Sequence, residues 1–258
     1  MKVLDELYLR RLRAQVASGP IPAHVAMVMD GNRRWAREAG LADVSEGHRR
    51  GFTHVAEVLR WCSGLGIDNV TLFWISADNL AKRDAQEAAN LMRVIEEVTP
   101  ALASTRQWRI EIVGRVDLLP AHTATVMKQA REDTRDCGPR CLTLAVGYDG
   151  REDITDAVRA LLDDEILNGC SLLEAAERVS VDSIAAHFST SDLPAPDLMI
   201  RTSGEQRISG FLQWQATAAD LCFVEANWPG FREIDLLRAV RTHATARQPN
   251  PGVRRRLR

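Results

Sequence analysis

Six short apolar runs, Val25–Met29, Val70–Ile75, Ile110–Val113, Leu142–Val146, Leu198–Ile200 and Leu221–Val224, recur along this chain with helix-compatible stretches between them. Runs of this length suit buried strands, and the long helical intervals suit crossover connections, so the alternation predicts an α/β fold. We expect a single domain with a largely parallel central sheet of about six strands, wrapped by helices. Two of the intervening stretches are amphipathic at helical spacing: Phe52, Val55, Leu59 and Cys62 form one apolar face, and Ala88, Leu91, Met92, Ile95, Val98 and Leu102 another. Residues 1–20 read as an amino-terminal helical arm that Gly19-Pro20-Ile21-Pro22 terminates, and residues 248–258 as a basic tail, with a solvated terminus as its default role.

Ligands of a parallel sheet gather at the carboxyl ends of its strands. The first run leads directly into Asp30-Gly31-Asn32-Arg33-Arg34-Trp35-Ala36, a carboxylate and two arginines around a glycine turn. The helix-compatible stretch from Arg33 to Ala39 would aim free backbone N–H groups at a phosphate. Asp30 would repel that phosphate unless a hard cation lay between them, so the segment implies Mg²⁺ bridging Asp30 to a diphosphate. The plainer alternative is an Asx-type cap with solvated arginines. The run at Leu198–Ile200 similarly delivers Arg201, Arg207 and Ser209 within one glycine-punctuated loop. Two guanidinium forks and a hydroxyl suit a second diphosphate. The alternative for the arginines is a surface ion pair with Asp197 or Glu205.

Together with Gly47-His48-x-x-Gly51, Ser76-Ala77-Asp78-Asn79 followed by Arg83 and Glu87, and Gly147-Tyr148-Asp149-Gly150-Arg151, the Asp30 segment and the stretch from Arg201 through Trp228-Pro229 make five ordered blocks between about Ile21 and Phe231. The chain thereby resembles the cis-prenyltransferase, or undecaprenyl diphosphate synthase, family, and within it the short-chain actinobacterial type that makes a Z-farnesyl product. The resemblance implies condensation of an allylic diphosphate with isopentenyl diphosphate. It further implies that Asp30 holds Mg²⁺ and assists ionisation, that Gly31, Asn32 and Arg34 cradle the allylic diphosphate with Arg33 and Trp35 nearby, and that Arg201, Arg207 and Ser209 hold the second diphosphate. Asn79 and Ser76 would orient the reacting end and relay a proton, and Asp78 and Arg83 join the substrate site; His48 would be an acid/base group or a phosphate ligand there, with a structural role on its helix as the alternative. Asp220 corresponds to a second metal carboxylate. The family's hydrocarbon tunnel would run between the sheet and the two amphipathic helices, with Trp74 as a floor that stops elongation early; plain core packing is the alternative for that indole. A homodimer is also implied.

Several positions depart from the family pattern. Asp78 and Asp220 are each one methylene shorter than the usual glutamate, Ala77 lacks a hydroxyl, Gln206 replaces a frequent histidine, and Asp43 stands near where an allylic-site arginine is usual. The tail lacks a clean Arg-x-Gly element. Two other readings compete with regular chain synthesis. An irregular, lavandulyl-type enzyme would join two allylic diphosphates, while a non-catalytic subunit would merely support an active partner, although Asp30, Arg34, Arg201 and Arg207 are all retained. A trans-type aspartate-rich site would need a denser acidic motif than Asp163-Asp164-Glu165.

A net charge of −2 at pH 7 argues against bulk binding to nucleic acid, so the arginines act locally. Five scattered cysteines suggest neither a disulfide framework nor a zinc site, and with no export signal or membrane-length apolar run we expect a cytoplasmic protein.

Overall fold

The computed structural model describes residues 2–247, with side chains from Glu6 onward; the basic tail named above lies outside these residues. The first half of the chain runs α1 (Lys2–Ala17), β1 (His24–Val28), α2 (Asn32–Glu38), α3 (Ser45–Leu65), β2 (Asn69–Ser76), α4 (Ala77–Lys82), α5 (Ala85–Ser104) and β3 (Arg109–Gly114). The second half continues with α6 (Ala121–Asp133), β4 (Cys141–Tyr148), α7 (Gly150–Leu167), α8 (Leu172–Glu177), α9 (Val181–Ala185), β5 (Leu198–Arg201), β6 (Asp220–Phe223) and α10 (Glu233–Ala246).

All six expected strands form, and every pairing between them is parallel, in the order β3-β4-β2-β1-β5-β6. β1 and β4 are buried along their whole length, as a parallel sheet covered on both faces requires. One core joins the sheet to α1, α3, α5, α6 and α10 through residues such as Leu12, Phe52, Val55, Ile95, Met127 and Leu237. On the opposite face Ala26, Val28, Ala145 and Met199 pack with Tyr148, Phe211 and Leu212. The expected amino-terminal arm is a helix docked on α10: Leu12 and Val16 are buried, and Arg13 donates two hydrogen bonds to Glu233, at 2.8 and 2.7 Å.

Strand order decides where a ligand can sit. From β1 the chain builds outward to β2, β4 and β3 on one side and to β5 and β6 on the other. The carboxyl ends of β1 and β5 therefore flank the point at which the sheet changes direction of growth, where crossover helices leave a crevice.

Candidate active site

Asp30 follows β1 and Thr202 follows β5, so the two meet across that crevice. The Asp30 backbone N–H donates to the Thr202 hydroxyl at 2.9 Å, the same hydroxyl lies 2.8 Å from the Asp30 carbonyl, and Trp228 N–H donates to that carbonyl at 2.9 Å. The carboxylate thus sits on a backbone fixed from several directions. Its Oδ1 accepts from Gly31 N–H at 2.7 Å and its Oδ2 from the Arg201 guanidinium at 2.7 Å, yet the side chain stays 40% exposed toward the crevice. Gly31 has φ 96°, and a Cβ there would collide with Asn227, so only glycine makes this turn into α2.

A pocket of about 600 Å³ opens above this carboxylate. Its charged rim comes from α2, where Asn32, Arg33 and Arg34 face inward and Arg34 donates to the Ser203 carbonyl at 2.9 Å. On the far side Arg201, buried beneath the rim, donates to Ser209 Oγ and to the Arg207 carbonyl, each at 2.6 Å. Deeper in, the lining turns apolar with Phe52 of α3, Trp74 and Ile75 of β2 and Leu91 of α5, the helices expected to carry apolar faces. Trp74 is buried and meets Phe52 edge-on, with ring centroids 4.5 Å apart. Gly47 and Gly51 let α3 approach α2 closely, because a Cβ at either would strike Asn32.

A third wall joins α3, the end of α4 and α5. His48 is buried, and its Nε2 accepts from Arg83 at 3.1 Å, while Arg83 also pairs with Glu87 at 2.8 Å. Burial, reinforced by the positive charges of Arg83 and Arg33, pushes the His48 pKa down to about 3. A neutral imidazole at neutral pH can accept from Arg83 but cannot serve as a cation for phosphate. Ser76 Oγ caps α4 by accepting from Asn79 N–H at 3.0 Å, so these two residues are held as a pair at the rim. Asp78 reaches the same rim and pairs with Lys82 at 2.6 Å.

Three expected site residues lie elsewhere. The Arg207 guanidinium turns outward to Glu205, 3.1 Å away, with its side chain 70% exposed; the surface ion pair weighed for it is the arrangement observed, and only its carbonyl serves the site, through Arg201. Trp35 packs beside Gly230 and does not line the pocket. Asp220 lies apart from Asp30 within this chain. It begins β6 at the level of Leu198 and Val25, five residues before Asp30, which at about 3.3 Å per residue separates them by the height of the sheet. Its carboxylate instead accepts from His243 at 2.8 Å and from Arg247 at 3.5 Å, fastening α10 to the sheet.

Among the described residues no cluster of three or more His, Cys, Asp or Glu side chains is placed to hold a metal ion. Asp30 is therefore a single hard oxygen donor, open to solvent. That set fits a divalent ion which keeps several waters and takes its remaining oxygens from a substrate phosphate, and it does not fit a dedicated all-protein cage.

Sequence reasoning gave no site role to Thr202, which orients Asp30, nor to Arg37 and to Arg151 of the block at residues 147–151, two arginines that also line the pocket. The signal for Arg37 was available, since it stands three and four residues beyond Arg34 and Arg33 on one helix face. Thr202 carried none beyond its place at a strand end.

The family model described as "Putative undecaprenyl diphosphate synthase" matches residues 28–249. The chain is 48% identical over 250 residues to an isoprenyl transferase of Streptomyces fradiae, covering 95% of this chain and 96% of that one. It is 44% identical over 244 residues to a (2Z,6E)-farnesyl diphosphate synthase of Mycobacterium tuberculosis and to a short-chain Z-isoprenyl diphosphate synthase of Mycobacterium leprae, with 93% of each chain covered. Among solved structures it is similar to lavandulyl diphosphate synthase from Lavandula x intermedia in complex with dimethylallyl diphosphate: TM-score 0.79, 30% identity, 87% of this chain and 95% of that chain.

Proposed function

This chain belongs to the undecaprenyl diphosphate synthase family of cis-prenyltransferases, and from that premise we propose that it condenses an allylic diphosphate with isopentenyl diphosphate into a C10 to C15 product. It is a prenyltransferase, and relatives named for short Z products support short-chain cis-prenyl diphosphate synthesis. A divalent metal is consistent with the family, and Mg²⁺ is the ion we assign to Asp30. One observation carries the reading: the Asp30–Arg201 pair stands at the mouth of a single pocket that has arginines on either rim and Phe52, Trp74 and Leu91 beneath.

Arg33 and Arg34, with Asn32 and the backbone of Gly31, bind the allylic diphosphate; Arg83, held by Glu87 and neutral His48, closes that side. Arg201 and Ser209 bind the diphosphate of the acceptor, on the loop that also carries Arg207. A divalent cation, which Asp30 would hold, would supply positive charge to the departing diphosphate. Arg201 is already locked by Asp30, Ser209 and the Arg207 carbonyl, so it contributes its charge without reorganising. Ser76 and Asn79 orient the acceptor and take up the proton that leaves when the new olefin forms. The apolar wall receives the hydrocarbon and keeps water from the carbocation.

We also propose that the enzyme works as a homodimer in the cytoplasm. Leu221 and Phe223 stand exposed on the edge strand β6, and all five cysteines are free thiols. No helix of the described residues is long and apolar enough to cross a membrane.

Incubation with dimethylallyl or geranyl diphosphate, isopentenyl diphosphate and Mg²⁺, with product mass and NMR, tests the proposal. A Z olefin of ten to fifteen carbons is the expected result, and absence of any condensed product would defeat it. The likeness to a lavandulyl diphosphate synthase keeps irregular condensation as a second reading, weaker at 30% identity than the 44–48% shared with the regular transferases. Dimethylallyl diphosphate supplied alone separates the two, because only the irregular reaction yields product.

A further inference from the structure

We infer that Phe73 is the shelf on which the five-carbon end of isopentenyl diphosphate lies, and so a specificity-determining residue for the acceptor; the assignment rests on the function proposed above. Arg201 is level with Val28 across β5 and β1, Val28 with Phe73 across β1 and β2, and Phe73 with Ala145 across β2 and β4. Residues level with one another in a parallel ladder turn their side chains to one face of the sheet, and successive residues of a strand turn to opposite faces. Phe73 therefore shares the face of Arg201, whereas Trp74 takes the other, where it meets Phe52 of α3. The two neighbours divide the pocket: Trp74 stands with the helices that receive the growing hydrocarbon, and Phe73 with the loop that carries Ser209.

Burial marks Phe73 out. Between Val70 and Ile75 it is the one residue of β2 that is not fully buried, although Arg201, Val28 and Ala145, level with it, all are. Its open side gives onto the pocket, which it lines together with Val28 and Tyr148. From behind, the ring is held rigidly: Phe211, fully buried, stacks on it with centroids 4.7 Å apart and planes 13° from parallel, and Tyr148 meets it edge-on at 6.3 Å. Phe211 lies two residues beyond Ser209, so the loop that offers the hydroxyl also seats the ring. Arg201 and Phe73 stand two strands apart, about 10 Å between Cα atoms. A molecule clamped by its diphosphate on Arg201 and Ser209 thus has a short apolar stretch over Val28 and Phe73, enough for five carbons. The guanidinium and hydroxyl bind any small diphosphate alike, so selection of the isopentenyl group falls to this apolar wall.

Phe73→Ala and Phe73→Leu, compared with the wild type, test the assignment. Calorimetry is run with Mg²⁺ and with the allylic site filled by geranyl thiolodiphosphate, whose C–S bond resists ionisation, and gives the Kd of isopentenyl diphosphate and of inorganic diphosphate. Phe73→Ala should weaken isopentenyl diphosphate by about 10- to 100-fold and Phe73→Leu by about 3- to 10-fold, the scale of losing apolar contact over a few carbons. Inorganic diphosphate should stay within about two-fold in both variants, because it has no hydrocarbon to lose contact with. In turnover, the acceptor homologue with an ethyl group in place of the C3 methyl should gain on isopentenyl diphosphate by at least about 10-fold in kcat/KM when the ring is removed. Phe73→Leu keeps most of the bulk and decides alone if Phe73→Ala does not fold. Isopentenyl and inorganic diphosphate weakened together, or both unchanged, would show that the ring serves the core alone and overturn the assignment. A wild type that binds isopentenyl diphosphate without condensing it would defeat the proposed function, while the two Kd values would still judge Phe73.

Discussion

Arg201 donates to Asp30 at 2.7 Å across the gap between the ends of β5 and β1, joining residues 171 positions apart in the chain at the point where the sheet reverses its growth. The pairing serves both residues. The Asp30 carboxylate is held in place at the crevice, and Arg201, 6% exposed at its side chain, has a hydrogen-bond partner below the rim.

Asp30→Asn preserves shape and an acceptor for Arg201 while removing the charge. Turnover should fall by at least about 10²–10³-fold. The melting temperature should move by only a few degrees, because the carboxylate is 40% exposed and Arg201 keeps its bonds to Ser209 and the Arg207 carbonyl. A turnover assay paired with a melting curve checks both, and near-normal activity would refute the metal role.

His48 gives the fold an acid-sensitive term. Its pKa falls from an ordinary 6.5 to about 3 on folding, so the unfolded chain binds the extra proton first. Stability from this group is therefore complete above pH about 6.5 and declines as the pH drops from there toward 3. His48→Gln retains an acceptor for Arg83 without a titration, and its melting temperature should vary less with pH across that window. Parallel melting curves for the two proteins would disprove the assignment. Between pH 7 and 9 no limb of the rate profile should belong to His48.

The inner strands β1, β2, β4 and β5 were legible because burial on both faces of a parallel sheet leaves continuous apolar runs, whereas the edge strands β3 and β6 are only partly buried. The order of the strands was not legible, since pairing between strands far apart in sequence leaves no local trace, and that order is what brings Asp30 to Arg201. Asp220 is instructive: the run at Leu221–Val224 already set it before a strand, whereas Asp30 follows one, and in a parallel sheet those are opposite ends. The direction of Arg207 was not legible for another reason. Spacing within a loop places a residue near a site but does not say which way its side chain turns, and Glu205 draws it outward. The state of His48 was not legible either, because its burial, with Arg83 and Arg33 beside it, exists only in three dimensions and is what lowers its pKa.

Gly51→Ala should be costly for a small change. The added Cβ would strike the Asn32 side chain and come within 2.9 Å of Trp228 Cδ1, forcing α3 away from the start of α2. Overpacking of this kind destabilises by about 1–3 kcal/mol. Because Asn32 lines the pocket, KM for the allylic diphosphate should rise more than KM for isopentenyl diphosphate. Denaturant unfolding and steady-state kinetics measure the two effects, and a variant with unchanged stability would mean that the helices tolerate a wider spacing.

Trp74 offers the test of product length. Each methylene moved from water into an apolar wall gains about 0.8 kcal/mol, so a growing chain is drawn inward until a side chain blocks it. Trp74, buried against Phe52 at the apolar end of the pocket lining, stands where a block would act. Trp74→Ala should lengthen the product by one or more isoprene units while destabilising the protein by about 3–5 kcal/mol, and Trp74→Leu should give a smaller shift with a milder loss of stability. Chromatography of dephosphorylated products from both variants reads the outcome. If both retain the wild-type length distribution, elongation is stopped by another residue, and the indole belongs to the core alone.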